Sequence, residues 1–272
     1  MRRKLVAITA PLCLFVAGAA SAAGPVSASP NTYTGNFVVA GVHGSPARPI
    51  AVSLVERLGM GSSTSGKVGA PLVKIRTTTY GLKMDGQYFP KCTPNQINED
   101  NGHNGKWNAV CPKRSLVASG HVEAALTNPS SNLAGPGAPC SLGLWVYNGG
   151  AGKLTFFFTT SPDQCDGLTT GAAAAWTGTV REAGRTFVTD VPEPADVSYD
   201  AGNIGLFGSL ETETLTFKKL TVRHAGRVIP FLASIGCEKG ARPFSVTYTA
   251  TTSNSPSSAN ESTGEVRGTH KC

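Results

Sequence analysis

The stretch Ser141–Thr159 reads SLGLWVYNGGAGKLTFFFT, and its period decides the fold class. Apolar residues recur at every second position on both sides of a Gly-rich centre: Leu142, Leu144 and Val146 before it, Leu154, Phe156 and Phe158 after it. A period of two marks a half-buried strand, and two such runs around a turn make an antiparallel hairpin. Centring the hairpin on Gly150, with Asn148 to Gly152 as the turn, pairs Val146 with Leu154, Leu144 with Phe156 and Leu142 with Phe158. All six then share one face. The other face carries Trp145, Tyr147 and Phe157, three flat rings on which a sugar could stack if they reach solvent. The competing expectation is that a second layer covers them, as it covers most large aromatics.

The same period runs through the rest of the chain: Ile50, Val52 and Leu54; Val73 and Ile75; Leu215 and Phe217; Phe244, Val246 and Tyr248. Thr- and Val-rich runs separated by Gly, Pro, Asn and Ser predict an all-β fold, an antiparallel sandwich of jelly-roll or Ig-like type. One helix signal stands out. Thr93-Pro94-Asn95-Gln96 is a capping box with Pro at the first helical position, and predicts a short helix to about Glu99. The chain divides into 1–22, a flexible segment 23–35 and a single sandwich domain 36–272, with the loop Pro129–Pro139 as the place where two smaller sandwiches would separate.

Residues 1–22 read as a secretory signal: Arg2, Arg3 and Lys4, an apolar run from Leu5 to Gly18, and Ala20-Ser21-Ala22 as an A-x-A site. Its loss would lower the formal charge from +7 to +4, too mild a balance to imply nucleic acid. No transmembrane segment remains after it, so the expected location is secreted or cell-surface associated. Setting aside Cys13 in the apolar run leaves Cys92, Cys111, Cys140, Cys165, Cys237 and Cys272. An even count in an oxidising compartment predicts three disulfides; of the fifteen or so connectivities, pairing in chain order is favoured because each consecutive pair brackets a local unit.

Phe89-Pro90-Lys91-Cys92, a short helix, and then Val110-Cys111-Pro112-Lys113-Arg114-Ser115 form a recognisable signature. It resembles a group of secreted, functionally uncharacterised β-rich proteins of high-GC Gram-positive bacteria. Gly81-Leu82-Lys83-Met84-Asp85-Gly86, Tyr147-Asn148-Gly149 and Cys237 followed by Pro243-Phe244 add to the likeness. The resemblance implies an exported β-rich domain and supports the pairs Cys92–Cys111 and Cys237–Cys272. It implies no activity. The Asn/Gly/His-rich insert between Cys92 and Cys111 and the last loop are longer here than in that pattern.

Catalytic patterns are weak. No G-x-S-x-G occurs, every cysteine outside the signal has an expected disulfide partner, and the five histidines lie outside zinc-finger spacing. Glu211 and Glu213 alternate on one strand and read as solvated; Asp163 with Asp166 and Glu193 with Asp196 sit in turns. Asn98–Asn104 offers oxygens to a cation but lacks an EF-hand's second acid and closing Glu, so an ordinary polar loop is expected. No metal and no cofactor are expected. Lys218, Lys219, Arg223 and Arg227, with His224, concentrate charge around a turn at Ala225-Gly226, with a β-bulge expected near Lys218. They read as an edge hairpin guarded by its lysines or, more sharply, as a site for an anionic envelope polymer. The expected function is therefore a non-catalytic binding or structural module of the cell envelope or extracellular space, leaning away from an enzyme, with envelope polysaccharide or a surface protein as partner. The alternative is a secreted carbohydrate-active enzyme on a jelly-roll scaffold.

Overall fold

The computed structural model describes residues 20–21, 26–28, 31–41, 43–100, 107–127, 138–161, 164–165, 174–192, 207–251 and 261–272. Its strands are β1 (Ala20–Ser21), β2 (Val26–Ala28), β3 (Asn31–Ala40), β4 (Ile50–Ala51), β5 (Ser53–Ser62), β6 (Leu72–Tyr80) and β7 (Leu82–Met84), then β8 (Leu116–Thr127), β9 (Ala138–Gly150), β10 (Lys153–Thr159), β11 (Trp176–Ala183) and β12 (Thr186–Pro192). After these come β13 (Phe207–Phe217), β14 (Thr221–His224), β15 (Arg227–Pro230), β16 (Leu232–Ser234), β17 (Ala241–Thr251) and β18 (Glu261–Lys271). Two short helices, α1 (Pro94–Asp100) and α2 (Trp107–Val110), lie between β7 and β8. As expected, α1 starts on the capping box: the Thr93 backbone N–H donates to Gln96 Oε1 at 2.9 Å.

Thirteen strands form one antiparallel sheet in the order β1-β18-β17-β6-β12-β11-β10-β9-β8-β13-β5-β3-β2. The expected sandwich is therefore corrected to a near-barrel. The sheet curls until β18 meets β3 and β2, and its own side chains fill the inside. Curling buries one face without a second sheet and shields both open edges. At the seam Tyr33 stacks on Tyr248 at 4.7 Å and Phe37 lies against Phe244 at 4.9 Å. Two glycines allow the close approach there: a Cβ at Gly268 would sit 2.4 Å from Phe244 Cζ, and one at Gly35 would sit 3.1 Å from Val246 Cγ2. Because β3 begins at Asn31 and buries Asn31 and Tyr33 completely, the flexible segment expected through residue 35 is corrected as well. Strands β8 and β9, on either side of the suggested division, pair along their lengths; residues 128–137 between them lie outside the described residues.

One barrel end gathers the starts of β5, β12 and β17 and the ends of β6, β9 and β13, including Gly150, Phe217, Tyr80 and Ala241. A small sheet, β4-β16-β7, packs Leu82, Met84 and Leu232 into the barrel core there. The strand ends Thr127, Ala138, Trp176, Pro192, Phe207 and Thr251 lie at the other end. Disulfides join Cys92–Cys111, Cys140–Cys165 and Cys237–Cys272, the chain-order pairing. No helix among the described residues is long and apolar enough to cross a membrane. Residues 1–19 lie outside the described residues, while Ala20–Ser21 pairs with Thr269 and His270 of β18.

Candidate functional site

The β9–β10 hairpin turns on Ala151–Gly152, tighter than expected, so Phe156 pairs with Val146 and Phe158 with Leu144. The register is two residues from the expected one, and a slip of two keeps every side chain on its face. Trp145, Tyr147 and Phe157 do share the outer face, yet that face is not a platform. Tyr147 and Phe157 are buried among Ile97, Cys92, Cys111 and Ala175, with Trp145 half-buried at the margin and donating from Nε1 to Thr159 Oγ1 at 2.9 Å. The stacking role proposed for the trio is corrected. Helix α1 and the Cys92–Cys111 disulfide are the second layer that covers it, and burial pushes the Tyr147 phenol well above its ordinary range.

Asn148 locks this layer in place. Its Nδ2 donates to the carbonyls of Gly86, Phe89 and Pro90 at 2.9–3.1 Å, and its Oδ1 accepts from Gly150 N–H. The Cys92 N–H donates to the Asn148 carbonyl at 2.9 Å. The Phe-Pro-x-Cys signature is thus a docking element, spent on folding. Asn98, in the cation-loop reading, is used similarly: it donates to the Ala175 carbonyl and accepts from its N–H. Residues 101–104 of that loop, and the Asp163/Asp166 and Glu193/Asp196 pairs, lie outside the described residues.

The basic residues fare differently. Strand β13 ends at Phe217, and the chain leaves the barrel between two ties, Lys218 N–H to the Val117 carbonyl and Phe231 N–H to the Leu220 carbonyl. Between them β14 and β15 form a separate two-stranded hairpin turning at Ala225–Gly226, both with positive φ (47° and 77°), the twist a tight hairpin needs. The out-of-phase pattern near Lys218 is this exit from the barrel. The irregularity of β13 falls instead between Leu210 and Thr212. Lys219, Arg223, His224 and Arg227 are exposed, while Lys218 is half-buried and its ammonium pKa is lowered by desolvation. Arg114 joins the group by donating to the Thr221 carbonyl at 2.7 Å, and His224 packs on the Tyr88 ring. No acid occurs from Lys218 to Pro230. Among the described residues, no ion pair engages these bases.

Inside the barrel lies an unexpected acidic pair. Glu56 stands opposite Leu215, and Glu213 opposite Leu58, which places the two carboxylates on one diagonal of the inner face, about 7 Å apart at the backbone. They line a cavity of about 30 Å³ with Thr77, Thr189, Phe156 and Trp176, room for a water or two. Burial raises both acids, and the charge of Glu213 raises Glu56 further; Glu213 is pushed up to about 7. The Trp176 Nε1 is buried there without a partner among the described residues. Glu211 is exposed, so the two acids read together in the sequence end on different sides, separated by the irregularity in β13. Period two around Leu54, Leu58 and Met60 is the signal that places Glu56 inside.

His43, Cys237 and Cys272 form the one His/Cys donor group found among the described residues, with donor atoms within 4.8 Å of one another. Both sulfurs are bonded to each other, so neither is a thiolate ligand. Comparison of the chain with family models, curated proteins and solved structures finds no match.

Proposed function

We propose that the protein is an exported, disulfide-stapled binding module that acts without catalysis, and that its contact surface is the β14–β15 hairpin, with an anionic polysaccharide as ligand. The supporting observation is the hairpin itself. It stands apart from the barrel sheet and presents Lys219, Arg223, His224 and Arg227, with Arg114 at its base, without an acid in the segment. A purely protective edge needs a lysine or two; a cluster of one sign, left unpaired, attracts polyanions and holds them through salt-screened contacts. The acid pair in the lumen favours the carbohydrate-active alternative, but its cavity is the size of a water or two and far below that of a sugar ring.

The test is retention of the purified protein on an anionic polysaccharide matrix, on its neutral analogue and on anionic lipid vesicles. The proposal expects retention on the charged polysaccharide, falling steeply with salt and abolished by Arg223→Glu with Arg227→Glu. Equal retention on the neutral matrix, binding to vesicles alone, or release of sugar products would each replace it with another reading.

A further inference from the structure

The geometry points to Cys237–Cys272 as a thiol–disulfide exchange site at which an external low-molecular-weight thiol becomes attached to Cys272. Three observations converge there. First, accessibility separates this bridge from the others: Cys92, Cys111, Cys140 and Cys165 are all buried, whereas Cys237 and Cys272 are both partly exposed. Second, Cys237 Sγ has two nitrogen donors on it, His43 Nδ1 at 3.6 Å and Arg242 Nη2 at 3.8 Å. Third, Arg242 carries a buried cation with no carboxylate partner among the described residues. The residue is 2 % exposed, and its side chain donates to the carbonyls of Tyr80 and Gly81 at 2.7 Å and to Ser234 Oγ at 2.9 Å, leaving Nε without a partner among the described residues.

A guanidinium held by neutral dipoles beside a sulfur is compensated when that sulfur becomes an anion. Exchange produces that anion. An incoming thiolate attacks Cys272 Sγ, the new sulfur–sulfur bond forms as the Cys237–Cys272 bond breaks, and the electron pair of the broken bond leaves on Cys237 as a thiolate facing Arg242 and His43. A second thiol molecule then attacks the mixed disulfide, releases the thiol dimer and leaves both cysteines reduced. Two electrons pass from two thiols to one disulfide. Exchange is faster when the leaving sulfur is the better-stabilised anion, which assigns departure to Cys237 and attachment to Cys272. The β17–β18 pairing continues from Ala241–Lys271 to Thr251–Glu261, so opening the bridge frees Cys272 and keeps the barrel.

The experiment incubates the folded protein with graded reduced glutathione, quenches with acid, alkylates free thiols and maps every cysteine by peptide mass. Glutathione is expected on Cys272 and the alkyl label on Cys237, while the other four cysteines stay unlabelled. His43→Ala removes an exposed ring and one of the two donors, and is expected to slow opening roughly tenfold, the size of one hydrogen bond to an anion. Glutathione on Cys237, opening of the buried disulfides at the same thiol concentration, or an unchanged rate in His43→Ala would each overturn the assignment. Near-ultraviolet circular dichroism of the variant separates a lost donor from a lost fold.

Discussion

Replacing Glu213 by Gln should stabilise the protein at alkaline pH and leave it unchanged at acid pH. In the fold, burial holds the Glu213 carboxyl at about 7 against an ordinary 4.5. At roughly 1.4 kcal/mol per pH unit, ionising it inside the barrel therefore costs about 3 kcal/mol relative to ionising it in the unfolded chain. The sign follows from which state releases its proton first. Below pH 4.5 both states are protonated and the group is neutral to stability. As pH rises from 4.5 towards 7 the unfolded chain ionises first, so stability falls; above 7 the loss is complete. Glu56 is shifted in the same direction and is coupled to Glu213, so the two act together. His270, held down by desolvation and by Arg242, works in the opposite sense. Comparing wild type with Glu213→Gln at each pH cancels that contribution. Urea unfolding with disulfides intact, from pH 4.5 to 8.5, should show equal midpoints at the acid end and a Gln variant higher by about 1 M at the alkaline end. Parallel pH profiles for the two proteins would refute the buried-acid reasoning.

The covered aromatic face makes its own demand: Phe157→Ala should lose about 3–5 kcal/mol because the ring is fully buried beneath α1, with polysaccharide retention unchanged in the fraction that folds. Asn148→Ala strands the carbonyls that Asn148 now satisfies and should cost about 3 kcal/mol, read as a lower thermal midpoint; an unchanged midpoint would mean that water replaces the side chain. Protein recovered outside the cell should begin at or near Ala23 and contain no free thiol, both read from one intact mass; a thiol that titrates in the unfolded, unreduced protein would refute the second.

How much was legible in the sequence depends on the range of the interaction. Alternation is local, so the inward faces of β9, β10 and β17 could be read directly, as could the helix start at Thr93 and the turn at Ala225-Gly226. Closure is not local. A half-buried strand looks the same in a sandwich and in a barrel, and the choice is made by Tyr33, Gly35 and Phe37 meeting β17 across more than two hundred residues. The hairpin register escaped because Gly149, Gly150 and Gly152 all suit a turn. Glu56 was hidden by its neighbours, since Val55-Glu56-Arg57 reads as surface unless the parity of Leu54 and Leu58 is followed through it. The pairing of Arg242 with His43 around Cys237 has no sequence signal at all, because separate loops and strands bring the three together.

The most direct measurement of the proposed role is amide hydrogen exchange along the whole chain, with and without a soluble anionic polysaccharide, at low and at high salt. Protection at low salt is expected across Thr221–Pro230 and at Lys113–Ser115, fading as salt is raised, with the barrel strands unaffected. Protection at the opposite barrel end or along the strands lining the lumen, or a profile that the polysaccharide leaves unchanged, would contradict the assignment of the basic hairpin as the binding surface.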